Sequence, residues 1–252
     1  MDRELYLPQE WADDTERREK AKVPEDVAFA TKPQLAQRML FRALAAGVPI
    51  AWVTGDTVYG SDPALRESLQ ERRLPYVLAV AKDERLSWEQ GRIRAQTLAK
   101  RLPASAWQTL SCGEGAKGPR LYDWATLALD APEQADFGLR LLVRRRLANT
   151  VECAYYLVLA PQDSPLAVLV GVAGTRWSIE VCFENAKGEV GLDHYEVRSW
   201  HGWYRHMTLA LWAQAVLVAL RKEQAQHTPK GGPTLPRNSL RNFKLSRGLW
   251  CP

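Results

Sequence analysis

Residue types that hold structural metals or form disulfides are scarce in this sequence. Four cysteines occur among 252 residues, and no two of them form a Cys-x-x-Cys pair. A zinc ribbon and a disulfide scaffold are therefore disfavoured, and the cysteine usage fits a reducing compartment. Histidines number four as well. His201 and His206 lack the i,i+4 spacing that would place both rings on one helix face, so a histidine metal site is not expected.

Long apolar runs are also missing. The longest, Met207 to Leu220, covers 14 residues and includes Gln214, whereas a membrane-spanning helix needs about 20. Residues 1–20 are heavily charged, so we expect no secretory signal and no membrane partner. The glycine-rich stretch 113–118 lacks the Gly-x-x-x-x-Gly-Lys-Ser/Thr pattern. These absences argue against membrane proteins and P-loop nucleotide binders.

The composition is that of a folded chain with unevenly placed charge. Hydrophobic residues make up 46% of the chain and charged residues 25%, which is enough to bury a core. The net charge is +5; residues 221–252 hold seven Lys or Arg and one Glu, which is +6, so the other 220 residues sum to −1. A basic tail points to nucleic acid, although a solvated tail has the same composition.

Hydrophobic periodicity in the first third of the chain predicts alternating strands and helices, which is typical of an α/β core. Pro33 and Gly47 mark the ends of one helix, and Asp62 with Pro63 marks the start of another. The predicted elements are a strand at residues 3–8, a charged loop at 9–28, a helix at 33–46, a buried strand at 49–54, a helix at 62–73 and a buried strand at 76–80.

The middle of the chain changes character and is predicted to be a strand-rich insertion. It contains a helical stretch at 89–101 and strands at 139–145 and 154–160, and helices return at 175–190 and 203–224. In the last helix, a stripe with helical spacing is expected to be core, and Trp200, Trp203 and Trp212 are expected to pack on the sheet. The predicted segments are 1–81, a partial core carrying Asp56; 82–163, the insertion; 164–225, core helices carrying Glu180; and 226–252, the basic tail.

Three charged residues share one face of the predicted helix 175–190. At 3.6 residues per turn, Glu180 lies about 40° and Lys187 about 20° from Arg176. A carboxylate between two cations suits a metal ion held beside phosphates. The same spacing suits an ordinary i,i+4 salt-bridge face, and spacing alone favours that simpler interpretation.

Asp56 directly follows the predicted strand 49–54 and Gly55. Open α/β sheets place ligand sites just outside the carboxyl ends of their strands, and a glycine allows a ligand or backbone to approach closely. Asp56 is therefore a candidate site residue. The structural alternative is that its side chain caps the turn that follows.

The run TRWSIEVCFENAKGEVGLDHYEVRSWHGWYRH (175–206) resembles the DDE transposases of bacterial insertion sequences. It is most similar to the group whose motif is Tyr, two residues, Arg, three residues, Glu, six residues, Lys. Arg176, Glu180 and Lys187 match the last three positions, whereas Ala173 occupies the Tyr position. The run WVTGDTVYG (52–60) resembles the strand that carries the second catalytic Asp of the same enzymes.

The resemblance implies an RNase H-like core whose carboxylates bind Mg²⁺, with Mn²⁺ as a substitute, for in-line phosphoryl displacement. It assigns Asp56 and Glu180 as catalytic metal ligands. The implied partner is DNA at transposon ends, bound by a homo-oligomer or together with a full-length transposase, in the bacterial cytoplasm at the nucleoid. DNA or phosphate contacts fall to Arg176, Lys187, Arg198 and Arg205.

The first catalytic Asp of the family has no counterpart in this sequence. The strand that carries it should precede residues 3–8, which resemble the third strand of the family core. We therefore expect an N-terminally truncated core that binds Mg²⁺ weakly, does not cleave DNA alone, and has an open sheet edge that lowers its stability. The alternatives are a non-catalytic DNA-binding or co-assembling remnant, and a nuclease of the same fold that recruits Glu184 or Asp193.

Overall fold

A computed structural model describes residues 2–115, 118–130 and 136–227, without the side chains of 225–227. The basic tail from residue 228 onward therefore lies outside the described residues. The helices are α1 (Gln9–Asp13), α2 (Thr15–Ala21), α3 (Lys32–Ala45), α4 (Thr57–Gly60), α5 (Pro63–Glu71), α6 (Ala95–Ala99), α7 (Leu166–Thr175), α8 (Trp177–Val190) and α9 (Trp200–His227). The strands are β1 (Val53–Gly55), β2 (Tyr76–Val80), β3 (Arg85–Trp88), β4 (Gly91–Arg94), β5 (Gln108–Gly115), β6 (Gly118–Ala128), β7 (Phe137–Arg145) and β8 (Cys153–Pro161).

Six strands form one mixed sheet in the order β1-β2-β8-β7-β6-β5, and β3 and β4 form a separate hairpin. β1 and β2 are parallel, and each later pair of neighbours is antiparallel. The sheet curls, because α7 contacts β1 and β2 at one edge and β5 and β6 at the other. The mixed α/β class predicted from the sequence is confirmed. Within the predicted insertion, β5 to β8 continue the same sheet as β1 and β2, whereas β3 and β4 do not.

The two helices that the sequence predicts in the first third, α3 and α5, begin and end close to the expected residues. A capping box starts α3: the Thr31 hydroxyl accepts from the Gln34 amide, and the Gln34 side chain accepts from the Thr31 amide. Gly47, at φ +74°, follows the end of this helix and adopts the left-handed conformation that glycine tolerates. Asp62 caps α5 through the Leu65 amide at 2.7 Å.

Two apolar clusters fill the two faces of the sheet. Alternation along β2 directs Tyr76 and Leu78 into one cluster and Val77 into the other. The second cluster is covered by α7, whose Leu169 and Val170 are fully buried. We call the side of the sheet that carries Val77 the α7 face.

The direction of α7 decides where the next helix begins. β8 ends beside the start of β2, because Leu159 pairs with Tyr76. α7 then runs back over the sheet and ends close to β5, where a Cβ on Gly174 would lie only 1.8 Å from the Cys112 carbonyl oxygen. The helix therefore delivers Arg176 to the end of the sheet at which β1 and β2 finish.

The predicted strand at residues 3–8 is wrong. This segment pairs with no strand among the described residues, because the edge strand β1 bonds to β2 alone. It is held by side chains instead: the Tyr204 hydroxyl contacts both the Leu5 amide and Glu4, and Arg42 pairs with Asp2 and Glu4. The predicted strand at 49–54 is present but shorter, as β1. Its only strand partner in the described part of the chain is β2, which begins at Tyr76 opposite Val53, so the residues before Val53 have no strand there to pair with.

Two further predictions are wrong in detail. Residues 9–28, predicted as a loop, contain α1 and α2, and Asp14 caps α2 through the Arg17 amide. The predicted helix 89–101 is split into β4 and the short α6. The reason is a tight turn between β3 and β4, where Glu89 and Gln90 both have positive φ.

The predicted core stripe on the last helix is also wrong. Trp212 is 68% exposed and Leu209 is 55% exposed. The main contact of α9 is α8, through a small cluster that includes Ala186 and Ala210, so one narrow face is covered and the wide apolar stripe is not. By length and composition alone, Leu166–Val190 is apolar enough to cross a membrane, but its α7 half is packed against the sheet.

Candidate functional site

Asp56 stands at the carboxyl end of β1 and caps α4. Its Oδ1 accepts a hydrogen bond from the Val58 amide at 2.9 Å, and the residue is exposed. Burial raises the pKa of the neighbouring Tyr59, and the negative charge of Asp56 raises it further. The capping role anticipated as the structural alternative is therefore present. The cap uses only Oδ1 of Asp56, so Oδ2 is available to coordinate a cation.

Strand register places Asp56 on the α7 face. Thr54 pairs with Val77, which packs under α7, and successive side chains along a strand alternate between faces. Asp56, two residues after Thr54, therefore continues the α7 face at the carboxyl end of the strand.

Arg176 and Glu180 form the ion pair that their spacing predicts. Arg176 has helical backbone angles (φ −53°, ψ −34°) between α7 and α8, so the helical phase continues through it. Its Nη1 lies 2.8 Å from Glu180 Oε1, and the two side chains are 28% and 43% exposed. A partly exposed i,i+4 pair contributes only about 0.3–0.5 kcal/mol, so a ligand can displace it.

Tyr156 shows that Arg176 and Asp56 reach the same end of the sheet. Tyr156 pairs with Ala79 near the carboxyl end of β2 and belongs to the cluster under α7. Burial raises the pKa of its hydroxyl, and the charges of Arg144 and Arg176 oppose that rise. Arg176 is thus on the α7 face, at the end of the sheet at which β1 also finishes in Asp56.

The remaining predicted DNA-binding cations lie along the two last helices. Lys187 is near the end of α8, Arg198 is in the link that precedes α9, and Arg205 is in the first turns of α9. All three are exposed, and none forms an ion pair with a described residue. Their charges are therefore available to an external anion.

The structure does not complete a three-carboxylate centre. Glu184 and Asp193 are both exposed. Within residues 2–115, 118–130 and 136–227, no group of three or more His, Cys, Asp or Glu side chains is placed to hold a metal ion. Neither residue therefore joins Asp56 and Glu180 in this arrangement.

His206 has a structural partner. Its Nε2 lies 3.1 Å from the Gly191 carbonyl oxygen and 3.3 Å from that of Leu192, so it donates to the turn that links α8 to α9. Trp200 and Trp203 pack against the Tyr204 ring, with centroids 4.7 and 4.9 Å away.

Sequence reasoning missed a group of side chains on β6 and β7 close to this edge. Arg120, Tyr122 and Trp124 alternate along β6, and Trp124 pairs with Arg144 of β7. The run PRLYDW (119–124) carries a period-2 pattern that predicts a strand with one arginine–aromatic face. That pattern was the available signal for these residues.

Comparison with known proteins links the first half of the chain to a nuclease family. Residues 1–118 match the family model described as DDE superfamily endonuclease. The match includes Asp56 and ends before Glu180. It supports a relationship to the DDE endonucleases and transposases, which act on DNA. No curated protein matches the chain.

Proposed function

We propose that the chain is the catalytic-core part of an insertion-sequence transposase with an RNase H-like fold, which cleaves and joins DNA strands by metal-dependent phosphoryl transfer. The supporting observation is that α7 runs to the end of the sheet at which β1 finishes in Asp56, so the Arg176–Glu180 pair and Asp56 lie at the same end of the strands. The family match over residues 1–118 supports the same chemistry.

The two exposed carboxylates suit a hard divalent cation. Asp56 keeps one oxygen outside its cap, and Glu180 is held only by a weak surface ion pair. Mg²⁺, or Mn²⁺ in its place, would stabilise the attacking and leaving oxygens of an in-line displacement. When Glu180 turns to a cation, Arg176 loses its partner and can donate to a phosphate oxygen.

The chain by itself should cleave DNA at or near background. Among the described residues, no third acidic side chain joins Asp56 and Glu180, and two ligands bind Mg²⁺ weakly because most of its coordination shell remains water. Cleavage therefore requires a further carboxylate, supplied by a longer transposase or by co-assembly at the transposon end. Efficient Mg²⁺-dependent cleavage by this chain alone, abolished in Glu180→Ala, would contradict this part of the proposal.

Mn²⁺ titration followed by electron paramagnetic resonance tests the metal site without needing turnover. We expect the wild-type chain to bind Mn²⁺, and both Asp56→Asn and Glu180→Gln to bind it several-fold more weakly. Glu184→Gln is the matched control, because Glu184 lies one turn further along α8 and is also exposed. Equal binding by all four proteins would reject the shared site.

The second candidate function is a non-catalytic DNA-binding or co-assembling remnant. The missing third carboxylate and the exposed, unpaired Lys187, Arg198 and Arg205 favour it. The discriminating experiment is DNA binding by Glu180→Ala in the presence of Mg²⁺. A pure binder retains its affinity, whereas a metal-dependent complex is weakened. Either function places the protein with DNA in the bacterial cytoplasm.

A further inference from the structure

Three arginines lie toward the same end of the α7 face. Arg120 on β6 and Arg144 on β7 share this face. Trp124 pairs with Arg144 across the two strands, and Arg120 lies four residues before Trp124 on the same strand, so its side chain points to the same side. Arg176 arrives from the end of α7. We call Arg120, Arg144 and Arg176 the arginine cluster. Its members lie on three different elements, so only the folded sheet brings them together.

Aromatic rings hold Arg144 in place. Its guanidinium carbon stands 4.5 Å from the centroid of the Tyr122 ring. Tyr122 packs edge-on against the buried Trp124 at 6.3 Å, and Trp124 lies 6.0 Å from Tyr156. A guanidinium over an aromatic face keeps its N–H groups directed outward in the ring plane. Arg144 is thus positioned by its neighbours without consuming its charge in an ion pair.

Arg120 is fixed by the backbone. Its Nη2 donates to the carbonyl oxygens of Cys112 at 2.9 Å and Gly174 at 3.3 Å, which ties β6 to β5 and to the end of α7. Its Nε is buried and has no hydrogen-bond partner. Both acceptors are neutral carbonyls, so the positive charge of Arg120 is not compensated.

The cluster holds an excess of positive charge. Glu180 pairs with Arg176, but within the described part of the chain neither Arg120 nor Arg144 has a carboxylate within salt-bridge distance. The contrast with Arg145 is direct: the next residue of β7, on the opposite face, pairs with Asp123 at 3.1 Å. Like charges held close together are unfavourable until an anion neutralises them. On β6 and β7, Arg120 and Arg144 thus lack a carboxylate partner among the described residues, and both lie on the face that carries Asp56.

We propose that Arg144 and Arg120, beside Arg176, bind a backbone phosphate of the DNA strand whose reacting phosphodiester lies at Asp56 and Glu180. This inference rests on the proposed function and adds to it a phosphate contact from the strand-rich segment. Arginine suits this role, because its planar fork donates two parallel hydrogen bonds to phosphate oxygens. Tyr122 supports the guanidinium and keeps it facing the DNA.

The test is DNA binding as a function of salt, measured by fluorescence anisotropy in EDTA with a labelled duplex. Each neutralised phosphate contributes about 0.9 to the slope of log K against log salt. We expect Arg144→Gln to lower the slope by about one contact and the affinity by about tenfold. Arg92→Gln is the control, since Arg92 is an exposed arginine on the separate β3–β4 hairpin. It should leave both quantities unchanged.

A second variant, Arg144→Lys, distinguishes loss of the phosphate contact from loss of the folded structure. Arg144→Lys keeps the charge but loses the fork, so it should retain the slope and lose part of the affinity. If Arg144→Gln shows the same salt slope and affinity as the control Arg92→Gln, the proposed phosphate contact is overturned. Absence of any DNA binding by the wild type would overturn it too, as would displacement of the duplex by inorganic phosphate at equal phosphate concentration, which would indicate a site for the free ion.

These results are independent of the metal test. Failure of the phosphate contact leaves Mn²⁺ binding at Asp56 and Glu180 intact. Absence of Mn²⁺ binding at that site, together with the expected lower salt slope in Arg144→Gln, would reject the catalytic proposal and retain the DNA contact.

Discussion

Asp56 caps α4 and is also the proposed metal ligand, and the two roles can be separated by substitution. Asparagine caps a helix about as well as aspartate, whereas alanine costs about 1 kcal/mol. Asp56→Asn should therefore keep the free energy of unfolding within a few tenths of a kcal/mol of wild type and lose metal binding. Asp56→Ala should lose both. Urea denaturation measures the first quantity and Mn²⁺ titration the second; equal destabilisation by both variants would show that charge, not capping, is the structural contribution.

The candidate site could be predicted from the sequence only in part. The spacing of Arg176 and Glu180 correctly predicts a shared helix face and an ion pair. Periodicity also places Asp56 after a strand. That the ion pair and Asp56 lie at the same end of the sheet depends on the direction of α7 across a curled sheet, which no local pattern encodes. Arg144 was missed for a similar reason: its proposed role depends on Tyr122 of a neighbouring strand.

At the scale of elements, the approach of α7 to β5 is the contact that positions Glu180. A Cβ on Gly174 would lie 1.8 Å from the Cys112 oxygen, while one on Gly171 would meet nothing within 4 Å. Gly174→Ala should therefore destabilise the protein by about 2 kcal/mol by pushing the helix away. Gly171→Ala, in the same helix, should stabilise it by about 0.5–1 kcal/mol. Chemical denaturation measures both changes in the free energy of unfolding. If Gly174→Ala leaves that free energy unchanged, α7 does not pack against β5 as described.

The N-terminal segment is an element held by charge, so its attachment should depend on pH. Burial tends to raise the pKa of Asp2, but hydrogen bonds from the Arg42 side chain and the Arg3 amide outweigh it and lower the pKa. A folded pKa below the unfolded one contributes stability above the ordinary Asp value, and that contribution is lost as the pH falls through the folded value. The protection factor of the Leu5 amide, which compares its exchange rate with the intrinsic rate at the same pH, should therefore fall in acid. In Arg42→Gln the protection should be low at neutral pH already; an unchanged protection factor would contradict this attachment.

The elements that the sequence predicted correctly carry their own end signals. Thr31 and Gln34 form a capping box, and Asp62 precedes Pro63, so α3 and α5 could be located from sequence. Residues 3–8 alternate like a strand, but a strand exists only with a ladder partner, and that partner is a property of the tertiary fold. The stripe on α9 failed for the same reason: periodicity identifies an apolar face, not what covers it.

At the scale of the whole molecule, two apolar helices lack a cover within the described residues. Eight large apolar side chains on α8 and α9 are between 47% and 68% exposed: Trp177, Ile179, Val181, Phe183, Leu209, Trp212, Val218 and Leu220. Together with the short edge strand β1, they predict that the chain self-associates. Sedimentation velocity should show concentration-dependent association that the double substitution Phe183→Lys and Trp212→Lys reduces. Leu121→Lys, at a 49% exposed position on β6, should not reduce it, and a monodisperse wild-type monomer would contradict the prediction.

The central claim is that Asp56 and Glu180, 124 residues apart in sequence, share one metal ion. Fe²⁺ can replace Mg²⁺ at oxygen ligands, and with ascorbate and peroxide it generates radicals that cut the backbone beside it. Peptide mapping of these cuts is the most direct measurement. A shared ion predicts cuts close to both residue 56 and residue 180, both lost in Asp56→Asn and in Glu180→Gln. Cuts near one residue alone, or cuts that survive either substitution, would contradict a shared site.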